Sequence, residues 1–78
     1  MFKKKPQNVK RYKLIIKQQR ADNDIYTVEY SNFKKIKYKY SKRKKELTAV
    51  MTSFDSGKEI VEYTDVIGVS RKMYRSPF

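Results

Sequence analysis

The chain has 78 residues, of which 38% are hydrophobic, and it carries a net charge of +12 at pH 7. This length allows one domain at most and only a small core. The lack of Cys and His excludes disulfides, thiol nucleophiles, the usual zinc ligand sets and the commonest general base. No apolar run is long enough for a signal peptide or a membrane span, so a cytoplasmic protein is predicted.

The positive charge is concentrated in the first part of the chain. Residues 1–45 contain 16 Lys and Arg against three acidic residues, a net charge of +13, whereas residues 46–78 have a net charge of −1. Like charges crowded together destabilise a fold, and an ordinary solvated surface mixes both signs. The basic part therefore indicates a surface that binds a negatively charged partner.

The chain begins with a basic segment, MFKKKPQN, that predicts a flexible tail over residues 1–8, followed by a single small domain over residues 9–78. Lys10–Gln18 alternates apolar and basic residues with period two, which predicts a half-buried strand. Its outer row is Arg11, Lys13 and Lys17. Asp22 and Asp24 belong to the turn sequence ADND, and Ile25–Tyr30 predicts a return strand.

The segment Phe33–Tyr40 alternates again, and the following SKRKK sequence predicts a charged loop over residues 41–45. The strand pattern places Tyr38 and Tyr40 on the Ile36 side. The opposite side then carries a second row of cations: Lys35, Lys37 and Lys39.

The second part of the chain predicts a hairpin and a last strand. Glu46–Phe54 and Glu59–Tyr63 would pair across a type I turn with Gly57 in a left-handed bulge position. Val66–Tyr74 would follow a kink at residues 64–65, with Gly68 weakening that strand or marking a bulge.

The segment Ile60–Val69, with the sequence IVEYTDVIGV, resembles the last strands of SH3-like and Sm-like barrels. It is also similar to the end of the sheet in bacterial pleckstrin-homology-like domains. The resemblance covers ten residues and carries no functional residue with it. Together with the strand pattern it implies an all-β fold, a five- to six-stranded antiparallel sheet curled into a small barrel.

A helix over residues 33–54 is the competing interpretation, which would make the fold α+β. Apolar residues recur there at a spacing of three and four, and Gly57 would end the helix. The poor helix formers Thr48, Val50 and Thr52 favour strands instead, as does the tight IKYKY alternation.

The basic residues of the strand rows and the loop are the candidate phosphate contacts. Fifteen Lys against five Arg favour contacts with the nucleic-acid backbone over the reading of base edges. Tyr40, beside the loop, is the best candidate for stacking on a base, although most tyrosines are expected in the core. Protection of a sheet edge is the plain alternative for the lysine rows. The candidate nucleic-acid-binding residues are Arg11, Lys13, Lys17, Lys35, Lys37, Lys39, Tyr40, Lys42, Arg43, Lys44 and Lys45.

The sequence therefore predicts a nucleic-acid-binding accessory protein that contacts DNA or RNA with low to modest sequence specificity. Its Lys, Ile, Tyr and Asn content suggests an AT-rich genome, and its small size and basic charge suggest a phage or a mobile element as the source. The alternative is a protein-interaction module, an inhibitor or assembly factor, that docks on an acidic protein surface. Attachment to anionic lipid and a homodimer stay open. No enzyme activity, cofactor or metal is predicted, because Glu59, Glu62 and Asp65 are explained as surface charge.

Overall fold

The computed structural model describes residues 9–76, all of its regular structure being β-strand. The tail predicted for residues 1–8 lies outside the described residues. The strands are β1 (Val9–Gln19), β2 (Ile25–Phe33), β3 (Lys35–Ser41), β4 (Glu46–Thr52), β5 (Lys58–Tyr63) and β6 (Val66–Ser76). The all-β prediction is confirmed, and the helix over residues 33–54 is wrong. The chain reverses there between β3 and β4, with Lys45 in the left-handed region at a φ of 57°.

The six strands form two three-stranded antiparallel sheets. Sheet A has the order β2-β1-β6, and sheet B has the order β3-β4-β5. β2 passes into β3 through the single residue Lys34, so one extended segment contributes an edge strand to each sheet. No backbone ladder closes the two sheets into the predicted barrel over residues 9–76.

The core lies between the two sheets and is small, as the composition requires. Leu14 and Ile16 come from the centre of sheet A, and Ile36, Leu47 and Met51 come from sheet B. Because strand residues alternate between faces, each of these side chains points inward while its chain neighbours point outward. Half-buried tyrosines and valines enclose the cluster, so aromatic area supplies part of the stabilisation.

Side chains, rather than backbone ladders, link the two sheets along their edges. Tyr30 of β2 and Tyr63 of β5 share a hydrogen bond between their hydroxyls, and their rings meet edge to face. The Tyr40 hydroxyl donates to the Val66 carbonyl at 2.9 Å. Between the edge strands β6 and β3, the Arg71 guanidinium donates a hydrogen bond to the carbonyl oxygen of Ile36 at 2.8 Å.

The turns are built by short polar side chains. Asp22 accepts a hydrogen bond from the backbone N–H of Asp24 at 3.0 Å, while Asn23 takes the left-handed conformation at a φ of 65°. This contact, more than any other, lowers the pKa of the Asp22 carboxyl. The ADND segment is therefore a structural turn, as its composition predicts.

The turn between β4 and β5 differs from the prediction. Ser56, not Gly57, adopts the left-handed conformation, at a φ of 74°. The Gly57 N–H donates to the Asp55 carboxylate at 3.0 Å. A Cβ on Gly57 would lie 3.2 Å from both that oxygen and the Ser53 hydroxyl, so glycine serves here for close approach rather than for its backbone freedom.

Candidate nucleic-acid interface

The outer face of sheet B carries the predicted lysine row on its edge strand. The register places Lys35, Lys37 and Lys39 of β3 beside Thr52, Val50 and Thr48 of β4. All three lysines are exposed. Alternate residues of a strand are about 6.6 Å apart, so the row presents regularly spaced charges.

The third strand of this sheet adds a lysine that the sequence interpretation missed. β5 places Lys58 next to Thr52, so Lys58 lies across β4 from Lys35. Neighbouring strands are about 4.8 Å apart, which separates the two Cα atoms by roughly 10 Å. Lys58 was overlooked because the composition of residues 46–78 is nearly neutral. The position of the turn between β4 and β5 sets the register of these two strands, and this register could have predicted where Lys58 lies.

These charges repel one another strongly enough to influence protonation. The pKa of Lys35 is lowered, first by the charge of Lys37 and also by those of Lys58 and Lys34. Two acidic side chains lie on the same face: Glu46, beside Ser41 at the end of the lysine row, and Glu62, across β4 from Lys39. Among residues 9–76 no ion pair joins a carboxylate to any lysine of this face. The face therefore carries a net positive charge, and none of its lysines is paired with a carboxylate in the part of the chain that the structure describes.

The predicted basic loop continues this face beyond the end of β3. All four of its cations are exposed, and Ser41 accepts a hydrogen bond from the backbone N–H of Lys44 at 3.3 Å. The Lys45 carbonyl accepts from the Val66 N–H at 2.9 Å, which fixes the loop to the start of β6. The lysine face is defined here as the three β3 lysines, Lys58 and the loop residues Lys42, Arg43, Lys44 and Lys45.

The basic row on β1 differs from the lysine face because two of its three side chains make contacts within the fold. Arg11 packs its guanidinium over the Phe54 ring at 4.8 Å and donates to the Asn32 side chain. Lys13 lies 3.9 Å from a Glu29 carboxylate oxygen and 5.6 Å from the centre of the Tyr74 ring. Only Lys17 of this predicted row is fully exposed. The structure thus does not join the β1 row to the lysine face, since the two rows lie on different sheets.

The tyrosine chosen from the sequence is placed in the interior. Tyr40 is half-buried against the core, and its hydroxyl donates a hydrogen bond to the Val66 carbonyl. Tyr38, two residues earlier, is 38% exposed. Sequence alternation gave both tyrosines the same side of the strand. It did not show that Tyr38 is exposed, although Ile36 on one side of it is buried and Tyr40 on the other is half-buried.

A depression of about 760 Å³ opens where the exposed tyrosine meets the edge of sheet B. Its lining combines one aromatic ring, three cations, a hydroxyl and one apolar side chain. These residues are Lys37, Tyr38, Lys39, Thr48, Val50 and Arg71. A smaller depression of about 310 Å³ lies over sheet A, where Ile67 of β6 bulges out of register beside Gly68.

No match is found for this chain among protein-family models, curated proteins or solved structures. Within the described range, no helix is long and apolar enough to cross a membrane. Nor do three or more metal-ligating side chains come together in residues 9–76. The chemistry of the lysine face is therefore the main guide to function.

Proposed function

We propose that this protein binds nucleic acid through phosphate contacts, with the lysine face as its principal contact surface. The supporting observation is the cluster of exposed cations, none of which forms an ion pair with a carboxylate within residues 9–76. Repulsion within the cluster, visible in the lowered pKa of Lys35, is relieved when phosphates approach. Counterion release adds further affinity that depends on salt.

The composition of the face favours backbone contact over the recognition of particular bases. Lysine meets phosphate as a point charge, whereas paired contacts with guanine edges favour arginine. Arg43 is the one arginine of the lysine face. Low to modest sequence specificity follows, which suits an accessory protein that coats or positions nucleic acid.

The experiment is a salt titration of binding to labelled single-stranded DNA, duplex DNA and RNA, followed by fluorescence anisotropy. With about four to six phosphates neutralised on duplex DNA, log K should fall with log salt at a slope of about −4 to −5. The variant Lys35→Ser/Lys37→Ser/Lys39→Ser/Lys58→Ser should reduce the steepness of that slope by about 3 to 4.

A charge-matched control separates the lysine face from net charge. Four exposed cations of sheet A are changed instead: Lys10, Lys17, Lys72 and Arg75, each to Ser. Both variants lose the same formal charge, so only a local contact surface predicts that the sheet B variant binds much more weakly. Equal losses in the two variants, or no binding by the wild type at low salt, would refute the proposal.

Docking on an acidic protein surface is a second candidate that one observation favours. Ile60 is 66% exposed on the edge strand β5 and lies beside Val50, which separates it from Lys37. An apolar centre with a charged rim is the usual anatomy of a protein interface. In that case Ile60→Ser would weaken binding to an acidic partner, with polyglutamate as the charge-only reference, while leaving nucleic-acid affinity unchanged.

A further inference from the structure

Tyr38 is the exposed tyrosine of sheet B that the fold does not use. The hydroxyls of Tyr26, Tyr30, Tyr40, Tyr63 and Tyr74 all take part in hydrogen bonds within the described residues. The Tyr38 hydroxyl has no such partner in residues 9–76, and its ring is not among the side chains packed on the core. A large aromatic surface held at the rim of a depression, without a structural task, is available to a ligand.

Arg71 supplies a further cation to the lining, and its guanidinium is held in place by contacts within the fold. One guanidinium nitrogen donates to the Ile36 carbonyl at 2.8 Å, and the group lies 6.0 Å from the centre of the Tyr12 ring. Arginine has five N–H donors, so most of them stay available after this contact. Lys37 and Lys39, from the outer face of β3, also line the depression, so three cations contribute to it together with Tyr38.

The backbone of the edge strand adds hydrogen-bonding groups to the same place. In an antiparallel edge strand, alternate residues direct N–H and C=O away from the neighbouring strand. The Arg71 contact shows that the Ile36 carbonyl points away from β4. Tyr38, two residues further along, directs its own backbone groups the same way, beside its ring.

We infer that this depression binds one unpaired nucleotide of a single strand, with the base against Tyr38 and the adjoining phosphates on Lys37, Lys39 and Arg71. This inference rests on the proposed nucleic-acid binding and specifies its substrate. The volume of about 760 Å³ falls in the range of about 300–1,000 Å³ that is typical of small-ligand sites. A duplex keeps its base faces stacked inside, so its bases cannot reach Tyr38. Single-stranded or looped nucleic acid can.

The chain contains no tryptophan, which allows a direct optical test. Tyr38→Trp places a single indole at the site, and Tyr26→Trp places one at a matched position, since the two tyrosines are 38% and 39% exposed. Each full-length variant is titrated at low salt with oligothymidylate of about 12 nucleotides, and then with duplex DNA of the same length. Quenching of Tyr38→Trp by the single strand alone, with little change in Tyr26→Trp, is the expected result.

Affinity measurements on Tyr38→Leu and Tyr38→Phe complete the test. Loss of stacking in Tyr38→Leu should weaken single-strand binding about tenfold and leave duplex binding within about twofold. Tyr38→Phe should retain the wild-type affinity. Circular dichroism melting of each variant checks that the fold is intact.

The outcomes distinguish the two proposals. If the wild type binds both nucleic acids but Tyr38→Leu, still folded, binds the single strand as the wild type does, the nucleotide site is refuted while phosphate binding stands. Equal weakening toward single strand and duplex would also refute it. If the wild type binds neither nucleic acid yet binds polyglutamate, both proposals fail, and an acidic protein becomes the partner.

Discussion

The outer faces of sheets A and B carry the same sequence pattern of alternating basic residues but differ in what surrounds them. On sheet A, β1 is the central strand, and its neighbours supply Glu29 and Tyr74 to the row of Arg11 and Lys13. On sheet B, β3 is an edge strand whose single neighbour offers threonines and a valine. A lysine row on a central strand is absorbed into the fold, whereas the same row on an edge strand stays available for a partner.

Alanine substitutions should reveal this difference as a difference in stability. Arg11→Ala removes the contact with Phe54 and the hydrogen bond to Asn32, and should lower the free energy of unfolding by about 1–2 kcal/mol. Lys37→Ala, on the exposed face, should change it by about 0.5 kcal/mol or less. Urea unfolding followed by circular dichroism measures both. Equal effects would remove the distinction between the two rows.

Unfolding at alkaline pH extends the comparison of the two sheets to the contact that joins them, the hydrogen bond between Tyr30 and Tyr63. The hydrogen bond with Tyr63, followed by burial, raises the pKa of Tyr30 from 10.0 to about 12. A pKa raised by folding stabilises the protein fully below about pH 10, and this contribution is lost as the pH rises from about 10 to about 12. After allowance for solvent screening it amounts to about 1 kcal/mol.

Tyr30→Phe should therefore lose stability at pH 9 but show a smaller further loss between pH 9 and pH 12 than the wild type. Urea midpoints at the two pH values give the result. Lysine deprotonation in this range affects both proteins alike, so the difference between them isolates the tyrosine pair. Parallel curves for the two proteins would contradict the assignment.

The smallest expected effect concerns the protonation of the lysine face. Because neighbouring positive charges lower the pKa of Lys35, a bound polyanion should raise that pKa back toward its ordinary value. NMR titration of the lysine side-chain signals, with and without oligonucleotide, measures this change. The signal of Lys13, which lies beside Glu29 on sheet A, serves as the internal control. An unchanged Lys35 pKa in the complex would place the nucleic acid elsewhere.

Period-two alternation and turn chemistry were sufficient to predict the strands and to favour them over residues 33–54, where the structure rules out the alternative helix. The same local rules predicted a register irregularity near Gly68, which the structure confirms as a bulge at Ile67. They failed where the answer depends on packing. The choice between Tyr40 and Tyr38 required knowing which of the two rings packs against the core, and alternation assigns both to the same side of β3.

Two site residues depend on relations between distant parts of the chain. Lys58 could have been deduced by following the register through both hairpins, since Thr52 pairs with Lys35 on one side and with Lys58 on the other. Arg71 could not have been deduced in this way. Its position beside Ile36 depends on how sheet A packs against sheet B, and no local pattern encodes that arrangement.

The contact between Arg71 and the Ile36 carbonyl also affects whether two copies of this protein can associate through the edge strand β3. An open edge strand is a template onto which a second copy would add its own strand, the first step of fibril growth. Here one outward carbonyl is already occupied, and a second copy aligned on β3 would bring two lysine rows together. The positive charge of this edge thus disfavours pairing with a second copy of the chain. Neutralising its charge for an experiment is expected to reduce solubility, and aggregation should be monitored in every lysine variant.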